Sequence, residues 1–154
     1  MNYIKIQQEI LKAVCNDKTK NDWRFVAGLH NGRLWVVYKG YAMYAIPDIF
    51  WYLDTDKIID KCNLPLPLSE KIVESHKRYF ERAVNCKYTG TTIYQKLELN
   101  VYKSSDDNEV HIDPALVKYL DKHYDYEYRM IDRRNPLYIV DDGELVVCIM
   151  PVNH

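Results

Sequence analysis

The segment Leu145-Val146-Val147-Cys148-Ile149-Met150-Pro151-Val152 does most to decide the fold of this 154-residue chain. It is almost entirely apolar and rich in β-branched residues, which favours a buried strand. Asp141-Asp142-Gly143 precedes it and follows a second apolar run, Leu137 to Val140. Short connections rich in Asp and Gly are typical of tight turns, so the two runs predict an antiparallel strand pair.

The residues before this pair predict a helix and one further strand. Asp113-Pro114 can begin a helix, because Asp is a good N-cap and Pro loses nothing in the first turn. We expect that helix to reach about His123 and a strand to follow from Tyr126 to Ile131. The second half of the chain therefore reads as a helix followed by three strands.

The first half shows the same order of elements. Tyr3 to Val14 has apolar residues at helical spacing, which predicts an amphipathic helix. Asn31-Gly32 favours a hairpin, and Gly40 permits a second reversal. The strands predicted around these turns are Arg24 to Leu29, Arg33 to Tyr38 and Tyr41 to Ile46.

The middle of the chain is less regular. Asp48 to Cys62 could be a short helix or an irregular apolar crossing, and Ser69 can cap a helix running to about Val84. From Thr91 to Tyr102 apolar and polar residues alternate, which predicts one long strand. A loop and a short strand at Val110 to Ile112 complete the series.

Composition limits the classes of function. The net charge is −1, so only a local basic patch could attract nucleic acid. The four cysteines lack the spacing of a zinc site and indicate free thiols in a reducing compartment. No apolar run is long enough for a membrane span. The sequence thus predicts a cytoplasmic, single-domain protein without catalytic residues, metal or cofactor.

Several stretches together resemble the bacterial DNA sliding clamp, the β subunit of DNA polymerase III. They are Asp17 to Lys20, Phe25 to His30, Gly32 to Leu34, Tyr38 to Met43, Val110 to Leu120, Pro136 to Val140 and Leu145 to Val152. The resemblance implies an α+β, DNA-clamp-like fold. In that fold 1–154 is one domain of two pseudo-repeated helix-plus-antiparallel-strands units, and 47–90 is a helical insertion between them.

The resemblance also implies two sets of site residues. A pocket for a short peptide of a replication or repair protein would be lined by Gly40, Tyr41, Met43, Cys148, Met150, Pro151 and Val152. The residues facing duplex DNA would be Lys5, Lys12, Lys118 and Lys122. Encirclement of DNA would require a homo-oligomer, since one copy offers a single domain.

Two hypotheses of function follow. The first is a non-enzymatic clamp-like processivity factor of DNA replication, of phage or mobile-element origin, that associates with DNA or with replication and repair partners. The alternative is a protein–protein interaction module that keeps the fold but forms no ring and encircles no DNA.

Overall fold

The computed structural model describes residues 1–15, 25–38, 41–54, 56–57 and 66–152. Contacts divide the chain into two compact units, with the division after Ser75. The helices are α1 (Tyr3–Cys15), α2 (Leu66–Phe80) and α3 (Pro114–Val117), with a 3₁₀-helix at Asp48–Phe50. The strands are β1 (Phe25–His30), β2 (Arg33–Tyr38), β3 (Ala42–Pro47), β4 (Val84–Tyr94), β5 (Leu97–Ser104), β6 (Glu109–Ile112), β7 (Glu127–Met130), β8 (Leu137–Asp141) and β9 (Glu144–Ile149).

The first unit contains α1 and the antiparallel meander β1-β2-β3. Asn31 and Gly32 have φ of 50° and 70°, the left-handed backbone that a tight hairpin between β1 and β2 requires. β3 is buried from Ala42 to Ile46. The predicted helix, hairpin and three strands are confirmed among the described residues, with β3 displaced by one residue. Arg24 and the predicted reversal at Gly40 lie outside the described residues.

Gln7 connects α1 to the segment after β3 and is only 2% exposed. Its Nε2 donates to the Tyr3 carbonyl at 3.1 Å and to the Phe50 carbonyl at 2.8 Å. Its Oε1 accepts from the Tyr52 N–H at 2.8 Å. One buried amide therefore satisfies backbone groups of α1 and of the segment after β3, and this ties the helix to that segment.

Replacing Gln7 by leucine is expected to lower the free energy of unfolding by about 1–3 kcal/mol, because backbone groups in a partly buried site lose their partners. The adjacent Gln8 is exposed, so Gln8→Leu serves as a matched control. Urea denaturation followed by circular dichroism measures both. Equal effects of the two variants would contradict the role assigned to Gln7.

The second unit holds six antiparallel strands in the order β9-β8-β7-β4-β5-β6. The prediction of one long strand from Thr91 to Tyr102 is wrong. Gln95 and Lys96 have φ of 47° and 71°, and they turn the chain back on itself between β4 and β5. β4 also begins at Val84, where the sequence predicted the end of a helix.

The helix predicted from Asp113 to about His123 is wrong in length. Asp113 is its N-cap, accepting the Ala115 N–H at 2.8 Å, but α3 has only four residues. The Asp121 carboxylate accepts the His123 N–H at 2.9 Å. Such a local side-chain bond offers the backbone an alternative to the helix over the last predicted residues, Asp121 to His123.

These differences make the predicted clamp-like fold wrong. A repeat would need a helix and three strands in each half. The first unit has that content, whereas the second has six strands and a helix of four residues between β6 and β7. Among the described residues the protein is mostly antiparallel sheet. None of the described helices is long and apolar enough to cross a membrane.

The tail that follows β9 is part of the second unit's structure. Pro151 is buried, and the Val152 N–H donates to the His111 carbonyl on β6 at 2.8 Å. β6 lies at the opposite end of the strand order from β9. The tail therefore covers part of the outer edge of β6.

Val152→Pro removes this donor and is expected to lower the free energy of unfolding by about 0.5–1.5 kcal/mol, the usual net value of one hydrogen bond. Val152→Ala keeps the N–H and separates the hydrogen bond from the side chain. Thermal denaturation compares the two variants. A proline variant no less stable than the alanine variant would show that the bond contributes nothing.

Candidate nucleic-acid interface

Strand register brings three basic side chains to one face of the second unit's sheet. Lys87 on β4 is directly opposite Lys103 on β5, and Asn85 on β4 is directly opposite Arg129 on β7. Residues two apart on a strand point the same way, so Asn85 and Lys87 share a face. Lys87, Lys103 and Arg129, here called the basic triad, therefore lie on the same face of three neighbouring strands.

An open groove of about 810 Å³ runs along the basic triad. Besides the triad, its lining consists of Ala83, Val84, Asn85, Cys86, Thr89, Ser104 and Ser105. None of these lining residues is acidic, and five of them carry an amide, hydroxyl or thiol. The lining of the groove thus carries three cationic side chains and no carboxylate, in a protein whose net charge is −1.

The pairing of Lys87 with Lys103 is unfavourable for the isolated protein. Like charges directly opposite on neighbouring strands repel each other. Lys103 has partial compensation, because its Nζ lies 2.9 Å from the exposed Asp107 carboxylate, and this contact raises the pKa of Lys103. Lys87 has no ion pair with any residue the structure describes. An anion bound between the two lysines would relieve the repulsion.

Arg129, the third member of the basic triad, is held in place by two contacts. Its guanidinium lies 5.1 Å from the centre of the Phe80 ring, and its Nη2 donates to the Glu127 carboxylate at 2.9 Å. The Nε atom is buried without a hydrogen-bond partner in the described part of the chain. Guanidinium groups present five donors in a fixed plane, a geometry that suits phosphate oxygens.

The thiol beside the triad is unsuited to nucleophilic chemistry. Cys86 is only 6% exposed, and burial raises its pKa to about 12. The reactive thiolate is therefore scarce at neutral pH. Within the described ranges no group of three or more His, Cys, Asp or Glu could hold a metal ion.

The residues predicted to bind a peptide have different environments. Gly40 lies outside the described residues. In the first unit Tyr41 is exposed and Met43 is buried. In the second, Cys148 and Pro151 are buried, Met150 is exposed and Val152 is partly exposed. The peptide pocket stays a prediction, and one residue proposed to line it, Val152, already donates its backbone N–H to β6.

The residues predicted to face DNA are all exposed. Lys5 and Lys12 lie on α1 in the first unit, and Lys12 pairs with Glu9 at 3.3 Å. Lys118 and Lys122 follow α3 in the second unit, and the Lys118 Nζ lies 4.9 Å from the centre of the Tyr119 ring. Their contact with DNA stays a prediction.

The basic triad was not predicted from the sequence. Its members are far apart in the chain, and the prediction of one strand from Thr91 to Tyr102 concealed the hairpin that places Lys103 opposite Lys87. The alternation of apolar and polar residues was the available signal for strands here. It continues through the turn at Gln95 and Lys96, so it did not show where β4 ends and β5 begins.

Comparison of the chain with models of protein families, with curated proteins and with solved structures finds no match. No family is therefore assigned. The resemblance to sliding clamps stays a prediction from short stretches of sequence.

Proposed function

We propose that this protein binds duplex DNA through the phosphate backbone and catalyses no reaction on it. The observation that carries the proposal is the basic triad, in which two lysines face each other and an arginine lies on the neighbouring strand. Phosphate oxygens between these side chains would replace repulsion by attraction.

The ion pairs present in the groove do not prevent this. Lys103 pairs with Asp107 and Arg129 pairs with Glu127, and both carboxylates are at least half exposed. Exposed ion pairs of this kind contribute about 0–1 kcal/mol, so exchange of a carboxylate for a phosphate costs little. Contacts of this kind fix the position of DNA without reading its sequence, so we propose binding with little sequence preference.

The proposed location is the cytoplasm, where DNA and reduced thiols occur together. Cys15, Cys86 and Cys148 are free cysteines, which agrees with a reducing compartment.

Salt dependence of DNA binding tests the proposal. Three phosphate contacts predict a slope of about −2.7 in a plot of log affinity against log salt, or a loss of roughly 40-fold between ~50 mM and ~200 mM salt. Fluorescence anisotropy with a labelled duplex of mixed sequence measures it. No association at ~50 mM salt, or an affinity independent of salt, would overturn a phosphate-binding role.

A further inference from the structure

The connection between β7 and β8, residues 131–136, presents two adjacent arginines and is here called the arginine loop. Arg133 and Arg134 are both exposed, and neither forms an ion pair with any residue that the structure describes. Guanidinium groups stay charged at every physiological pH and are hydrated more weakly than ammonium groups. They therefore leave water for an anionic surface at a lower cost than lysine side chains do.

Asp132 fixes the backbone of the arginine loop. Its Oδ1 accepts the backbone N–H of Arg134 at 2.8 Å and that of Asn135 at 3.1 Å, and it accepts the Asn135 side-chain Nδ2 at 2.9 Å. The Asn135 side chain, followed by the Arg134 N–H, lowers the pKa of Asp132, so the accepting carboxylate is ionised at neutral pH. A loop fixed in this way loses little conformational entropy when it binds a partner.

The arginine loop lies at the end of the sheet that the groove reaches. Met130, the last residue of β7, is opposite Val84, the first residue of β4, and Val84 lines the groove. Arg133 follows Arg129 of the basic triad by four residues. Their Cα atoms are therefore at most about 14 Å apart, the span of four fully extended residues. The loop and the triad are neighbours on the second unit.

We propose that the arginine loop enters the minor groove of A·T-rich DNA beside the phosphates that the basic triad holds. The proposal rests on the proposed function, because the triad holds the duplex while the loop reads the groove. The minor groove of B-DNA is only about 6 Å wide and has phosphates on both sides, so the loop can reach it from a phosphate bound to Arg129.

The chemistry of arginine selects A·T-rich sequences. The minor groove is narrow in such segments, and its enhanced negative potential attracts arginine side chains inserted into it. Contacts of the basic triad with phosphates carry no sequence information. On DNA of mixed sequence the triad contacts dominate, and in A·T-rich DNA the loop adds a preference for base composition.

Fluorescence anisotropy with three labelled duplexes of equal length tests the proposal. Their central base pairs are A·T, G·C or inosine·cytosine. Inosine lacks the N2 amino group of guanine, so the inosine duplex combines a minor groove like that of A·T pairs with the major-groove acceptors of G·C pairs. At ~50 mM salt the wild-type protein is expected to bind the A·T and inosine duplexes about tenfold more tightly than the G·C duplex, a usual value for one favourable position in a binding site.

Replacing Arg133 and Arg134 together by glutamine is expected to lower the affinity for the A·T duplex about tenfold, to that for the G·C duplex. The control replaces Lys5 and Lys122 by glutamine, since both are exposed and their loss removes the same charge outside the arginine loop. This control is expected to keep the full preference for A·T pairs. Circular dichroism establishes that each variant is folded.

Three results would overturn the role of the arginine loop while leaving phosphate binding by the triad in place. They are equal affinities for all three duplexes, a preference for A·T pairs that persists in the glutamine variant, and an inosine duplex bound as weakly as the G·C duplex. Absence of binding to every duplex would contradict the proposed function as well.

Discussion

Replacing Lys87, Lys103 and Arg129 together by glutamine is expected to weaken duplex binding at ~50 mM salt by about two to three orders of magnitude. Each lost phosphate contact removes the release of counterions that accompanies it, so the salt slope is expected to approach zero. The folded state should persist, since the substitution removes the repulsion between Lys87 and Lys103. Fluorescence anisotropy over a range of salt concentrations measures both quantities.

The matched control replaces Lys5, Lys12 and Lys118 by glutamine. These lysines are exposed and their loss changes the net charge by the same amount, but they lie outside the groove. We expect a small change in affinity, because only the general electrostatic attraction is reduced. A control that loses as much affinity as the triad variant would show that the groove has no special role.

The second large effect is expected at Tyr138, which is fully buried and packs edge to face on Phe80 at 5.8 Å between ring centres. Tyr138→Ala is expected to lower the free energy of unfolding by about 3–5 kcal/mol, as for other large aromatic residues in cores. Phe80 in turn supports Arg129, so the loss would also loosen the groove. Urea denaturation measures the stability.

Tyr138→Phe separates the ring from the hydroxyl. The hydroxyl is buried and has no hydrogen-bond partner among the residues described, and burial raises its pKa. Because an unsatisfied buried polar group is costly, the phenylalanine variant is expected to be at least as stable as the wild-type protein. A phenylalanine variant that is clearly less stable would mean that the hydroxyl has a partner in solution.

The sequence was sufficient where local signals agreed with the tertiary structure. Asn31-Gly32 gives a hairpin because both residues tolerate positive φ, and the structure confirms it. The pair β8 and β9 was predicted from two apolar runs around Asp142-Gly143, and the structure confirms that pairing as well. In both cases the turn residues carry the information.

The sequence was insufficient where a turn lacked such residues. Gln95 and Lys96 adopt positive φ without glycine or asparagine, so nothing marked the end of β4. When such a turn is not recognised, the strand after it is predicted to run in the wrong direction. This error hid the pairing of Lys87 with Lys103, and with it the groove.

The length of α3 was also not predictable from the sequence. Leu116, Tyr119 and Leu120 have helical spacing, but α3 ends at Val117. Helix propensity is a weak preference, and at the end of the predicted helix the His123 N–H donates to the Asp121 carboxylate instead of to a helical carbonyl. The apparent repetition of helix and three strands depended on this helix, and the predicted clamp-like fold depended on the repetition.

The most direct test of the account is a DNA titration followed by amide chemical shifts of the labelled protein. The groove predicts that the largest shifts fall on Asn85, Lys87, Lys103 and Arg129, at salt low enough for phosphate contacts. The resemblance-based prediction places them instead at Lys5, Lys12, Lys118 and Lys122. Shifts confined to that second set, with the groove unchanged, would contradict the account.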